Sequence, residues 1–230
     1  MNNDSIPANI AKVLQQVSSA VEKYHRHPES VRVMAVSKTQ PAEAVRAAAN
    51  AGLRDFGENY LQDALDKITA CSDLGLTWHF IGPIQSNKTR PIAASFDWVH
   101  SVDREKVLRR LSEQRDPSLA PLNVCIQVNV SHETSKSGVA PKDLAPLLTL
   151  AAELPNLSLR GLMAIPAPSD DFATQKQACD LMAELFRNVQ SAYPSMDTLS
   201  MGMSADLEAA VAAGSNMLRI GTAIFGARQR

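Results

Sequence analysis

The chain has 230 residues, 45% of them hydrophobic, and a formal net charge of -1 at pH 7, which suits one sizeable core and excludes a basic nucleic-acid footprint. Three scattered cysteines, Cys71, Cys125 and Cys179, form no CxxC pair, so neither a zinc site nor a disulfide framework is expected, and a reducing compartment fits best. No apolar run reaches transmembrane length and Met1-Asn2-Asn3-Asp4 lacks the opening of a signal peptide, so a soluble, cytoplasmic protein is expected.

Ile6, Ile10, Val13, Leu14, Val17 and Val21 recur at helical spacing and predict an N-terminal amphipathic helix from Pro7 to Tyr24. Its apolar stripe has to pack on the outside or one end of the main fold. Val31–Val36 follows as a strand of β-branched and apolar residues, and it leads through Ser37 to Lys38. A lysine where a strand gives way to a βα loop sits where α/β barrels keep their chemistry. Partial desolvation there lowers the amine's pKa and frees it to attack a carbonyl. The plainer alternative is a lysine that marks the strand's exit into water.

From there the pattern alternates. Strands are predicted at Val31–Val36, Asp55–Gly57, Trp78–Ile81, Trp98–Ser101, Asn123–Val130, Ser158–Met163, Thr198–Ser200 and Met217–Ile220. Helices are predicted between them at Pro41–Ala51, Tyr60–Cys71, Lys88–Ser95, Arg104–Gln114, Asp143–Leu154, Phe172–Ser191 and Ala205–Ala213. Alternation implies parallel strands joined by crossovers. Eight of them in this length predict an α/β fold, a single (β/α)8 TIM-type barrel with an extra N-terminal helix. A doubly wound sheet is the alternative, but Ser37-Lys38-Thr39-Gln40 after the first strand has no glycine for a dinucleotide turn. No linker or low-complexity tract splits the chain, so residues 1–230 are expected to form one domain.

Several residues on the predicted rim could carry chemistry. Glu58 and Asn59 end the second strand, where Asn59 is either a site residue or a helix cap. His79 lies within the third strand and points either into the barrel or outward under a helix. Ser131-His132-Glu133-Thr134-Ser135-Lys136-Ser137-Gly138 is a polar, glycine-terminated loop able to clamp a ligand or remain solvated. Ser200-Met201-Gly202-Met203-Ser204-Ala205-Asp206 leads into a helix with Ser204 as its N-cap and Gly214 closing it. Gly221 and Thr222 turn the chain after the eighth strand. Loops after strands seven and eight, with a short helix start, are the usual phosphate site of such barrels. Arg219, inside an apolar strand, needs either a ligand or an ion-pair partner such as Glu58. A nucleophilic lysine, a phosphate cradle and a cation facing one cavity fit a phosphorylated aldehyde, and pyridoxal 5′-phosphate asks for all three.

Ala35-Val36-Ser37-Lys38-Thr39, Phe56-Gly57-Glu58-Asn59-Tyr60, Trp78-His79-Phe80-Ile81-Gly82, Gln85-Ser86-Asn87-Lys88, Lys136-Ser137-Gly138, Gly161-Leu162-Met163, Ser200 to Asp206 and Arg219 to Gly226 together resemble the YggS/PROSC family of pyridoxal phosphate homeostasis proteins. The resemblance runs over nearly the whole chain. It implies a barrel like the N-terminal domain of alanine racemase, with Lys38 as the aldimine lysine. It implies that Ser204, Gly221 and Thr222 hold the phosphate, that Arg219 faces the pyridine nitrogen, and that Asn59, His79, Met163 and Met203 line the pocket. It implies a cofactor carrier or regulator without an established catalytic activity, one that supplies or buffers pyridoxal phosphate, with apo enzymes that use it as candidate partners. Some relatives extend past Phe225-Gly226-Ala227-Arg228 with a lysine-bearing tail, whereas this chain ends at Arg230, leaving Lys136 for any secondary contact. No metal is implied. The absence of an exposed apolar stripe suggests a monomer. A pyridoxal phosphate racemase and a Schiff-base aldolase without cofactor are the competing functions.

Overall fold

Strand β1 (Arg32–Val36) pairs on one side with β2 (Asp55–Glu58) and on the other with β8 (Met217–Ile220), and both pairings are parallel. Between them run β3 (Thr77–Phe80), β4 (Trp98–Val102), β5 (Leu122–Gln127), β6 (Leu157–Met163) and β7 (Thr198–Ser200), each bonded to the next, so the sheet closes as an eight-stranded barrel. The computed structural model describes residues 5–130 and 137–226. Lys136 and most of the predicted clamp loop lie outside the described residues.

Helices α2 (Ala42–Asn50), α3 (Leu61–Ala70), α4 (Thr89–Ser95), α5 (Glu105–Gln114), α6 (Leu144–Glu153), α7 (Phe172–Gln190) and α8 (Leu207–Ala213) follow successive strands. A four-residue helix, α9 (Thr222–Phe225), follows β8. The main core lies between sheet and helices, because alternate strand residues face outward. Phe56, Trp78, Phe80, Val99, Ile126 and Leu218 belong to it. A smaller cluster of Trp98, Cys125 and Met163 fills the bore. Towards the N-terminal end of the bore, the Trp98 ring lies between Arg160, 4.7 Å from its centre, and Arg32, 5.5 Å away.

Helix α1 (Ser5–Lys23) buries Ile6, Ile10, Val13, Val17, Ala20 and Val21 and packs on α2, α8 and α9. Leu14, expected within that stripe, is 43% exposed, because the buried face tracks the 6-10-13-17-20 ridge. Asn9 Nδ2 donates to Ile224 O at 3.0 Å, and Lys23 and Tyr24 both bond Glu208. The extra helix thus braces the elements that follow β7 and β8.

The predicted boundaries hold to within a few residues. The largest difference is at β5, which ends at Gln127 rather than Val130. Beyond it Val128 N–H still bonds Met163 O, but Asn129 N–H and Val139 N–H bond across the loop, leaving an isolated bridge between Val128 and Val139. Lys88, predicted to open a helix, ends a short 3-10 turn, and α4 begins one residue later.

Candidate functional site

Parallel strands deliver all their C-terminal ends to one mouth. Lys38 stands there, half-buried, two residues past β1. The turn that carries it is held from behind. Ser37 N–H donates to Gly57 O, Gln40 N–H to Ser37 O, and Thr39 takes the left-handed conformation at φ 64. Ser37 Oγ donates to Glu58 Oε1 at 2.6 Å. Lys67 Nζ, reaching in from α3, donates to Ser37 O, Glu58 Oε1 and Asp63 Oδ2 at 2.7, 2.8 and 2.8 Å. Burial pushes the Glu58 carboxyl above its ordinary value, although Lys67 and Ser37 draw it back.

This buried pair settles an alternative raised by the sequence. Glu58 is the partner of Lys67, not of Arg219. Lys67 was not singled out by its residue pattern. Its signal is that it shares the buried stripe of α3 with Ala64, and only a paired lysine tolerates that place.

Arg219 projects from β8 and is 4% exposed. Its Nη1 donates to Ser200 O at 2.7 Å and Ser200 Oγ at 2.9 Å, and its Nη2 donates to Ala164 O at 2.8 Å. Among the described residues it has no ion pair. Burial lowers the guanidinium to about 10, so it stays charged at neutral pH. Three of its five N–H donors are used, so Nε–H and one Nη2–H remain for an acceptor.

Asn59 follows β2 at the rim. Gly82, leaving β3, crosses so close that a Cβ there would sit 2.1 Å from Asn59 O. Asn59 Oδ1 is buried and lacks a hydrogen-bond partner among the described residues. His79 is fully buried inside the bore. Its Nε2 meets Asp55 Oδ1 at 2.8 Å and its Nδ1 meets His100 Nε2 at 2.9 Å. Both ring nitrogens are thus committed below the mouth. Met163 is also fully buried, against Trp98 and Cys125. These two residues form floor rather than open wall. Met203, in the loop after β7, is 39% exposed.

The register Ala35↔Ile220 carries Gly221 and Thr222 alongside Val36 and Ser37. Thr222 then opens the four-residue α9, in which Ile224 and Phe225 N–H already bond Gly221 O. Ser204 differs from expectation. It is not the N-cap of α8; Asp206 holds that position. Asp206 Oδ1 captures Met203 N–H at 2.6 Å, which turns the chain once more before the helix starts at Leu207. Ser204 Oγ instead accepts from Ala223 N–H over a long 3.4 Å. A stronger anionic acceptor between these loops would take that donor over. Gly214 does close α8 in the left-handed conformation, at φ 110.

A groove of about 640 Å³ lies elsewhere, outside the barrel between α1 and the loop after β7. It touches Ser204 but neither Lys38 nor Arg219, which stand at the mouth. There an amine, a buried cation with spare donors, an orphan amide oxygen and a hydroxyl-lined helix start converge. A phosphorylated aldehyde with an aromatic ring nitrogen satisfies each of them.

Residues 9–229 match the family model for the alanine racemase N-terminal domain. The chain is 59% identical over 224 residues to the pyridoxal phosphate homeostasis protein of Pseudomonas aeruginosa, covering 97% of this chain and 96% of that one. It is 52% identical over 228 residues to the Escherichia coli K12 protein of the same name, covering 98% and 97%. Among solved structures it resembles PipY of Synechococcus elongatus with PLP bound, at TM-score 0.79 and 36% identity, over 91% of this chain and all of that one.

Proposed function

The chain belongs to the family of pyridoxal phosphate homeostasis proteins, and we propose that it binds pyridoxal 5′-phosphate through Lys38 and passes it on without turning over a substrate. The observation that carries the binding is Arg219. A guanidinium buried without a carboxylate, and keeping two donors unused, is placed for a neutral acceptor such as an unprotonated ring nitrogen.

When bound, the cofactor supplies a carbonyl that a lysine amine condenses with and a ring that draws electrons. The protein's residues act around it. The Glu58–Lys67–Ser37 cluster fixes the turn that presents the Lys38 amine. Ser204, Gly221 and Thr222 receive the phosphate at the start of α9. Asn59 Oδ1 accepts a hydrogen bond from the ring side, and Met203 covers the open edge. Arg219 donates to the ring nitrogen and cannot give up that proton, which keeps the ring a weak electron sink.

A weak sink suits storage more than carbanion chemistry. A racemase further needs acid–base groups on both faces of its substrate. Of the tyrosines, Tyr24 is bonded to Glu208 and Tyr193 to Thr149, both away from the mouth, while Tyr60 stands 54% exposed. Tyr60, Ile165 and Met203 leave apolar surface on the rim, where an apo enzyme receiving the cofactor would dock. Among the described residues no helix is long and apolar enough to cross a membrane. The reading is of a cytoplasmic monomer folded as one barrel domain.

The test is an absorption spectrum of the protein after reconstitution, before and after borohydride, followed by peptide mapping. A yellow protein whose reduced adduct maps to Lys38 is expected, and Lys38→Ala should lose the adduct while keeping phosphate-driven binding. A main adduct on Lys88 would overturn the assignment.

A further inference from the structure

The buried polar groups inside the bore form one connected line. Arg219 Nη1 lies 2.9 Å from Ser200 Oγ, and Ser200 Oγ lies 3.1 Å from His100 Nδ1. His100 Nε2 lies 2.9 Å from His79 Nδ1, and His79 Nε2 lies 2.8 Å from Asp55 Oδ1. Five strands each contribute one residue. Ser200, His100 and His79 are fully buried. Asp55 opens β2, so the line runs from the floor of the barrel to its mouth.

The Asp55 end dictates the direction and the Arg219 end is compatible with it. Arg219 can only donate, so Ser200 Oγ accepts from it and keeps its own hydrogen for His100 Nδ1. Asp55 is ionised: burial raises it, but the hydrogen bond and charge of His79 and the charge of Arg32 leave it below its ordinary value. It therefore accepts from His79 Nε2–H, which leaves His79 Nδ1 to accept from His100 Nε2–H. Each histidine then carries its single proton on Nε2, by the logic of the bonds. Burial holds both neutral, His100 most firmly. The groups facing the pair are Arg32, Arg219 and Asp97, besides Asp55 itself.

We propose that Asp55, His79, His100 and Ser200 are positioning residues for Arg219, a one-way hydrogen-bond chain through which a carboxylate at the barrel floor sets how strongly Arg219 engages the cofactor's ring nitrogen. The proposal rests on the reading of Arg219 given above. The directed chain polarises each bond in turn, and the low dielectric of the bore preserves that effect over its length. Arg219 is held at the Ser200 end, with Nε–H and one Nη2–H unused among the described residues. Removing the Asp55 charge frees the chain to reverse, and Ser200 Oγ, then also accepting from His100 Nδ1–H, becomes a weaker acceptor for Arg219, which keeps its bonds to Ser200 O and Ala164 O.

The experiment compares binding of pyridoxal 5′-phosphate with its 1-deaza analogue, which lacks the ring nitrogen, in wild type, Asp55→Asn, Ser200→Ala and a Cys125→Ala control that disturbs the bore beside the chain. The wild type should prefer pyridoxal phosphate, and Asp55→Asn and Ser200→Ala should shrink that preference by about threefold or more, a coupling within the usual range for buried networks. Cys125→Ala should leave it unchanged. An unaltered preference in folded Asp55→Asn would overturn the proposal. In parallel, ring ¹⁵N spectra of the cofactor-free protein should show a through-bond coupling between His79 Nδ1 and His100 Nε2, and Asp55→Asn should shift His100 Nδ1, which it does not touch. If the wild type fails to distinguish the two ligands, the ring-nitrogen reading of Arg219 falls. The ¹⁵N spectra then decide the chain alone, and an unmoved His100 Nδ1 would refute it.

Discussion

Two buried histidines make the barrel sensitive to mild acid. Burial lowers both His79 and His100 from the ordinary histidine value of 6.5. Below that value the unfolded chain binds protons that the folded chain refuses, so unfolding gains as pH falls. The stability these groups contribute is complete above pH 6.5 and is lost as pH drops from there towards their folded values. At one unit below, each refused proton costs about 1.4 kcal/mol, and the pair together up to about 2.8 kcal/mol. Asp55 and Asp97 favour charging of His79, whereas Arg32 opposes it at both rings and Arg219 at His100, so His100 contributes the larger share. A loss of this size is a large share of a typical domain's 5–15 kcal/mol, roughly speaking. Asp55 and Asp197 are held below their ordinary value of 3.8 and titrate later, whereas the buried Glu58 carboxyl is held above its ordinary 4.5 and opposes the histidines as pH falls, so the comparison is made in the Lys67→Met/Glu58→Gln double variant, which lacks that carboxyl. Urea unfolding of the cofactor-free protein at pH 7.5, 6.5 and 5.5 measures the effect. A steady midpoint from pH 7.5 to 5.5 would refute neutral burial of the pair, and with it the bond directions drawn through the bore.

Thr222→Ala or Ser204→Ala should weaken pyridoxal phosphate by roughly 1.5–3 kcal/mol, the worth of a hydrogen bond to a charged group, while scarcely touching unphosphorylated pyridoxal; equal losses by titration would count against the phosphate site. Lys67→Met strands the fully buried Glu58 carboxylate and should cost about 3–5 kcal/mol in urea unfolding, with slower adduct formation at Lys38, and adding Glu58→Gln should recover much of the stability. A single variant within about 1 kcal/mol of wild type would show that the pair does not hold the turn. Loaded protein incubated with single L-amino acids in deuterated water should exchange no α-hydrogen at enzyme-like rates, followed by NMR; steady exchange or inversion would replace the carrier reading with a racemase.

The barrel was legible because its signals are local and repeated. Each strand is a short apolar run, each helix a 3.6-residue stripe, and their alternation leaves few topologies. The mouth was legible for a related reason. Lys38, Asn59, Ser204 and Thr222 all stand where a run of apolar residues stops, and parallel strands bring every such stop to one end. What residue patterns could not reveal is pairing across the bore. His100 sits in Trp98–Val102 just as His79 sits in Thr77–Phe80, as a polar residue in a largely buried strand. Nothing in either segment says that they meet ring to ring, because the meeting depends on register between β3 and β4. The same limit applies to Lys67, nine residues beyond Glu58 and facing it only once α3 folds back on β2. Ser204 shows the converse. Its local pattern reads as a helix cap, yet a carboxylate two residues on takes over the turn and frees the hydroxyl to face α9. In each case the missing information is a long-range contact that a polar group must find because burial leaves it no water. Such groups are where this chain departs from a plain barrel, and they lie along two lines: one behind Lys38 and one beneath Arg219. Both lead to the residues that would hold opposite ends of the same cofactor.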